Sequence, residues 1–269
     1  MYSIRCLPVL WVLAVVYLLG ASRAAPTISA TITSPIDTPP PTATGSAPQD
    51  GNFVVTVINS HTAGISTMHQ QDVNGSTAIR QNNEGNIVKP SETFTFAVPT
   101  GWSGRLAMWE EGFSSDSSRG SVQDRASLFE GSFIQQDGTD SAVAFMDVSY
   151  VDGFTVPMVC ECNGQVAFGC NLDLHEICPA EFQLNPKTCK NPYRDDGLKV
   201  PPTTNIFGEC SKIAYTFSTD DLATHMGVLG CDRNVLCCVG TACSPHPNQK
   251  VCASRDGGTQ TCGKMEVGG

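Results

Sequence analysis

Glu130 and Asp147 are the two residues whose types and spacing point most directly to chemistry. They flank the turn Asp137-Gly138-Thr139-Asp140, and if that turn centres on Gly138 and Thr139, residues pair when their numbers sum to 277. That register sets Glu130 opposite Asp147 and puts Leu128, Ser132, Phe145 and Ser149 on their face. The other face carries Phe129, Phe133, Met146, Val148 and Tyr150, the set fit for burial, and a one-residue slip would destroy the partition. Like charges directly across a sheet destabilise it. At about 5 Å between Cβ atoms the two ionisations interact, so one carboxyl is expected to hold its proton above the usual pH. A protonated and an ionised carboxyl side by side are what acid–base work requires. Asp152, at the bend Val151-Asp152-Gly153-Phe154, adds a third acid. The competing reading is a solvated surface with incidental acids.

Such a pair needs antiparallel strands to hold it. Phe53 to Ile58, Glu92 to Val98, Gly104 to Trp109, Ala126 to Ile134 and Ser141 to Val151 read as strands separated by turn residues, the pattern of a β-sandwich. No stretch keeps a 3.6-residue period. From Cys160 onward the chain changes to short apolar pieces, many Gly and Pro, and a cysteine every few residues. Segments like these build little core of their own and need stapling. The expected fold is therefore mostly β, a flattened antiparallel β-sandwich with an attached disulfide-rich loop lobe. Its domains would be a sandwich over 51–159 plus part of the C-terminal half, and a disulfide-rich lobe and tail over 160–262.

What precedes the sandwich reads as leader and linker. Residues 1–24, with Arg5, the apolar run Leu7 to Leu19, and small Ser22 and Ala24 before the cut, form a secretory signal peptide. The apolar run is shorter than the roughly 20 residues of a membrane span, so no membrane association is expected after cleavage. Residues 25–50, rich in Pro, Thr, Ser and Ala, read as a disordered linker. Of the 13 cysteines, Cys6 leaves with the leader, and the even set that remains lies between Cys160 and Cys262. In an oxidising compartment this reads as disulfides. No metal site is expected: Cys160-Glu161-Cys162 and His175 near Cys178 lack zinc-ligand spacing. The adjacent Cys237 and Cys238 should take separate partners. Losing Arg5 and Arg23 moves the formal charge from −10 to −12, which argues against nucleic acid as a partner. Asn74-Gly75-Ser76 is the single N-glycosylation sequon. The histidines, His61, His69, His175, His225 and His246, read as surface residues in loops or strand edges, and no nucleophile elbow is present.

Several runs carry a family likeness. Asp147-Val-Ser-Tyr-Val-Asp152-Gly-Phe-Thr-Val-Pro157-Met resembles a segment of thaumatin and osmotin, and Trp102-Ser-Gly-Arg105 is similar to a strand start of that family. Cys170, Cys178-Pro179-Ala180 and Cys189 repeat a family spacing, and Cys210 to Asp220 is similar to a further stretch. The chain thus resembles the thaumatin-like proteins over about Asn52 to Cys231. The missing early cysteines and the added late ones make it look more like the secreted fungal members than the plant defence proteins.

The resemblance implies an acidic cleft lined by Arg125, Glu130, Asp147, Asp152 and Asp220, with Arg119 and Asp221 as alternatives at the two ends of that list. It implies the disulfides Cys178–Cys189 and Cys170–Cys210, and takes Cys231 to Cys160 or Cys162. It also implies a secreted or cell-wall monomer, with no cofactor, that binds β-1,3-glucan in the cleft. Some family members are endo-β-1,3-glucanases, and in that reading Glu130 is the general acid with Asp147 or Asp152 as its partner. A structural or host-interaction protein with an idle cleft is the third reading.

Overall fold

The computed structural model describes residues 51–78, 86–113, 122–135, 141–194, 205–226, 231, 233–249, 251–253 and 259–261. The leader 1–24 and the linker 25–50 lie outside the described residues, as do Arg119, the turn 137–140 and Cys262. No helix among the described residues is long and apolar enough to cross a membrane.

Alternation is the organising signal. Strand β1 (Phe53–Asn59) buries Phe53, Val55 and Val57 and turns Val54, Thr56 and Ile58 to the other side. It sits between β4 (Thr93–Val98), antiparallel, and β14 (Asn234–Val239), parallel. Strands β9 (Met158–Cys162) and β10 (Gln165–Cys170) complete this sheet in the order β10-β9-β14-β1-β4. The second sheet uses β2 (Ile65–Gln71), β3 (Asn86–Val88), β5 (Trp102–Glu110), β6 (Ser127–Gln135), β7 (Ala142–Ser149) and β13 (His225–Met226). Its order is β13-β7-β6-β5-β2-β3. A small sheet of β8 (Gly153–Phe154), β11 (Gln183–Asn185) and β12 (Thr188–Lys190), and the hairpin β15 (Val251–Ala253) with β16 (Thr259–Thr261), lie beyond.

The two large sheets share one core. Phe96, Val98, Met158 and Val235 from the first meet Leu106, Met108, Phe129 and Val148 from the second. Phe53 and Phe133 touch across the gap with ring centroids 5.5 Å apart. The architecture is the mostly β, disulfide-rich sandwich read from the sequence, but its two regions interleave. Three of the first sheet's strands, β9, β10 and β14, come from the cysteine-rich half, so cysteines pack within the sandwich itself. The physical reason is that buried cysteine behaves as a small apolar residue. Asn234-Val-Leu-Cys-Cys-Val239 alternates exposed and buried like any strand once Cys237 counts as apolar.

Among the described residues five disulfides fix this half: Cys160–Cys237, Cys162–Cys231, Cys170–Cys210, Cys178–Cys189 and Cys238–Cys243. Cys231 takes Cys162, leaving Cys160 to the β14 residue directly opposite it. Neighbouring Cys237 and Cys238 point to opposite sides of their strand and take separate partners. His225 Nε2 lies 3.9 Å from the sulfur of Cys162, and with Cys231 these form the one cluster of metal-ligand types among the described residues. Its two sulfurs are bonded to each other and are not thiolates.

The surface reading of the histidines needs correction. His69 lies inside β2, stacked on Trp102 at 5.9 Å, and accepts the indole N–H at 3.3 Å. Burial holds its ring below the usual histidine range. His246 is buried against the Ala167 carbonyl at 3.2 Å, and His175 is fixed to Asp173 at 2.8 Å. The imidazole carbons make these rings packing material as well as polar groups.

Candidate functional site

The outer face of the second sheet divides into an apolar and a polar part. At one end Ala107, Trp109, Leu128, Val122 and Ala126 form a small buried cluster, closed by the 3-10 turn Gln123–Arg125. Toward the other end the outward positions turn polar. Gln70, Arg105, Glu130 and Asp147 stand in register across β2, β5, β6 and β7, one residue per strand. The next row holds Ser103, Ser132 and Phe145, with Asp72 accepting from the Ser103 hydroxyl at 2.6 Å. Together these rows line an open cavity of about 760 Å³. Beneath it Gly104 and Gly131 pair with each other. A Cβ on either would come within 3.5 Å of the Trp102 ring, which fills the inner face where two side chains would stand.

The Glu130–Asp147 pairing expected from the hairpin is the pairing observed, along the full length of β6 and β7. The two carboxyls are not equivalent. Burial pushes Glu130 up, the Ser149 hydroxyl bonded to it pulls down, and the charges of Asp152 and Arg105 add opposed smaller effects. Asp147 has less help. Burial first, then the neighbouring Glu130 charge, pushes its carboxyl up to about 8. One of its oxygens, Oδ1, is buried without a hydrogen bond.

Asp152 is placed by a latch. The Ser127 hydroxyl accepts the N–H groups of Thr155 and Val156 at 3.0 and 3.1 Å, and the Ser127 N–H donates to the Thr155 hydroxyl at 2.9 Å. These bonds hold the chain after the bend against the start of β6. Gly153 makes the approach feasible, since a Cβ there would stand 2.5 Å from the Arg125 carbonyl. Asp152 then lies between two arginines, Arg194 Nε at 2.7 Å and Arg105 Nη1 at 3.2 Å. Arg105 also donates to Gln70 at 2.7 Å.

The arginine that the geometry brings to the cavity is thus Arg105, not Arg125. Arg125 ends the 3-10 turn that closes the apolar cluster, and neither it nor Asp152 is among the residues that line the cavity; Asp152 reaches the site only through Arg105. The signal for Arg105 lay in Trp102-Ser-Gly-Arg105; Arg194 had none. Asp220 also stands apart. It is buried, accepting from Ser211 and Thr216 hydroxyls at 2.9 and 3.0 Å and from the Lys212 N–H at 3.2 Å. Lys212 has a positive φ of 72°, so Asp220 ties down a backbone conformation unfavourable for lysine. Asp221 is the exposed neighbour and accepts from the Tyr215 hydroxyl at 3.2 Å. That tyrosine flanks Asp147 on the side away from Glu130, where its backbone pairs with Ser149 of β7. Asn74 is exposed in the turn two residues past Asp72.

Chemically the site offers hydroxyl-binding groups of both kinds: arginine, serine and amide donors beside carboxylate acceptors, around a pair of carboxyls with unequal proton affinity.

Among known proteins, no family model matches the chain. It is similar to the pathogenesis-related 5 protein Jun a 3.0101 of Juniperus ashei, 31% identical over 118 residues, which is 37% of this chain and 51% of that protein. It is equally similar to the pathogenesis-related thaumatin-like protein 3.8 of Cryptomeria japonica, 31% identical over 118 residues, again 37% and 51% of the two chains. A PR5-like receptor kinase of Arabidopsis thaliana is 27% identical over 197 residues, 54% of this chain and 28% of the kinase. The chain spans about half the length of the pathogenesis-related relatives it matches. All of these are plant proteins, so the closer likeness to fungal members finds no counterpart here.

Proposed function

We propose that this chain is a secreted thaumatin-like protein that binds a neutral β-1,3-glucan in the cavity on the outer face of its second sheet. The observation that carries the reading is the row Gln70, Arg105, Glu130 and Asp147, four hydrogen-bonding side chains spaced one strand apart along an open cavity. Adjacent strands lie about 4.8 Å apart, close to the spacing of successive sugar units, so an extended chain crossing the strands meets a polar group at each step. Similarity to thaumatin-like and pathogenesis-related 5 proteins supports the family. Five disulfides suit an oxidising compartment outside the cytoplasm.

A second reading, endo-β-1,3-glucanase, draws on one feature, the unequal carboxyls at Glu130 and Asp147. One assay separates the two. Purified protein is mixed with insoluble β-1,3-glucan for retention and with laminarin for release of reducing ends. Binding without release is expected, with Glu130→Gln cutting retention about tenfold, the effect of losing one charge-assisted hydrogen bond. Release of reducing ends that Glu130→Gln abolishes would make the protein an enzyme. Absence of both retention and release would leave only the reading as a structural or host-interaction protein.

A further inference from the structure

The two sides of the carboxyl pair are built differently, and the difference assigns a role to one member. We propose that Asp147 meets its ligand as a neutral carboxylic acid donating a hydrogen bond to a sugar oxygen; this rests on the glucan-binding reading of the cavity.

The geometry carries the assignment. Arg105 is the cation nearest the pair in the strand register, but its guanidinium is committed to Gln70 at 2.7 Å and Asp152 at 3.2 Å. It stands on the far side of Glu130 from Asp147, one strand further away. Glu130 has the Ser149 hydroxyl. Asp147 has neither, and its Oδ1 is buried without a partner.

Among the described residues, the groups around Asp147 offer it no positive charge. From β6 it faces Glu130. From the segment beside β7 it faces Tyr215, whose hydroxyl is engaged with Thr224 and Asp221. Asp152 and Asp72 bear on the other member of the pair, Glu130, and add negative charge there. His225, paired with Met146 on β13, stacks on Phe168 at 5.5 Å and so faces the core. A carboxyl in such surroundings keeps its proton, and the raised proton affinity of Asp147 agrees with this. A protonated carboxyl donates one hydrogen bond and still accepts through its other oxygen, as a sugar hydroxyl does. With Asp147 neutral, Arg105 and Arg194 offset the charges of Asp152 and Glu130, and Asp72 is left as the negative charge at the rim. The centre of the cavity then suits an uncharged polyol better than a polycation.

The test follows the Asp147 carboxyl by carbon-13 NMR, assigned from its loss in Asp147→Asn, with retention on insoluble β-1,3-glucan measured from about pH 5.5 to about pH 9.5. The expected midpoint is about 8. Wild-type retention should fall about tenfold or more through that midpoint, and Asp147→Asn, whose amide donates at every pH, should remove the fall. A midpoint near about 4, the ordinary carboxylate value, overturns the proposal whatever the binding shows. So does a midpoint near 8 with pH-independent retention. If glucan is not retained at any pH, the glucan reading fails by itself. A midpoint near 8 would then uphold the neutral acid, with its partner another uncharged hydroxyl ligand.

Discussion

Replacing Cys160, Cys162, Cys231 and Cys237 together with alanine is expected to leave the chain unfolded at 37 °C, whereas removing either bridge alone leaves it folded. The asymmetry follows from nesting. Cys160–Cys237 spans 77 residues and Cys162–Cys231 spans 69, but with one intact the other closes only about ten further residues. Chain entropy puts the loss of one bridge at about 3 kcal/mol. Once both are gone, the next closure is the inner Cys170–Cys210, and the second loss costs about 4 kcal/mol more. About 7 kcal/mol together is a large part of what a domain of this size has to lose. All four cysteines are buried, three of them on β9 and β14 in the centre of the first sheet, so emptied space adds to the cost. Near-ultraviolet circular dichroism against temperature reads the result. A four-alanine variant melting within a few degrees of wild type would show that the sheet holds without its bridges.

Asp147→Asn should raise the melting temperature at about pH 8 by about 6 °C and leave it unchanged at about pH 4. A carboxyl whose affinity for its proton is raised by folding, here to about 8, costs stability once the unfolded chain ionises near 4. The cost grows by about 1.4 kcal/mol per pH unit between those limits, is complete above the folded value, and is absent below the unfolded one. Coupling to Glu130 lets the pair share it, so about 3 kcal/mol is the expected gain. On the acid side the sign reverses. Burial would push Glu110 up, but its bonds to His61 and Lys187, both at 3.0 Å, hold it below the ordinary range. Asp173 is likewise raised by burial and lowered more by His175. Groups of this kind stabilise above their unfolded values and lose that contribution as pH falls through the folded ones. Wild-type stability should therefore peak at about pH 4 to 5 and decline toward neutrality, and the Asp147→Asn curve should lose the neutral-side decline. A wild-type curve rising steadily from pH 4 to pH 8 would contradict the buried pair.

How much of this was legible in the residues depended on distance along the chain. The Glu130–Asp147 pairing needed only one turn and the alternation of Phe129, Phe133, Met146 and Val148, because a sheet's two-residue period leaves a single register that buries them all. The partner of Glu130 on its other side was not accessible in the same way. Arg105 and Glu130 are separated by a long stretch of sequence, and Arg125 came from the family resemblance, not from a strand register. Asp220 came from the same resemblance, which reports where a carboxylate falls but not that Ser211, Lys212 and Thr216 use its oxygens. The parallel pairing of β1 with β14 joins segments nearly 180 residues apart, and no local signal encodes such a contact. Three bridges, Cys178–Cys189, Cys170–Cys210 and the Cys231 link, followed from family spacing. Cys160–Cys237 became evident only from the strand pairing.

The central claim is that the row from Gln70 to Asp147 is where a neutral glucan sits. Titrating a linear β-1,3-glucan oligosaccharide into nitrogen-15-labelled protein at about pH 6 and following the backbone amides tests it directly. The largest shifts are expected at Gln71, Ser103, Gly104, Gly131 and Ser132, the backbone that floors the cavity, and Glu130→Gln should diminish all of them together. Shifts confined to a separate cavity lined by Lys212, Phe217, Asp220 and Leu222, or unchanged by Glu130→Gln, would place the ligand elsewhere and contradict the account.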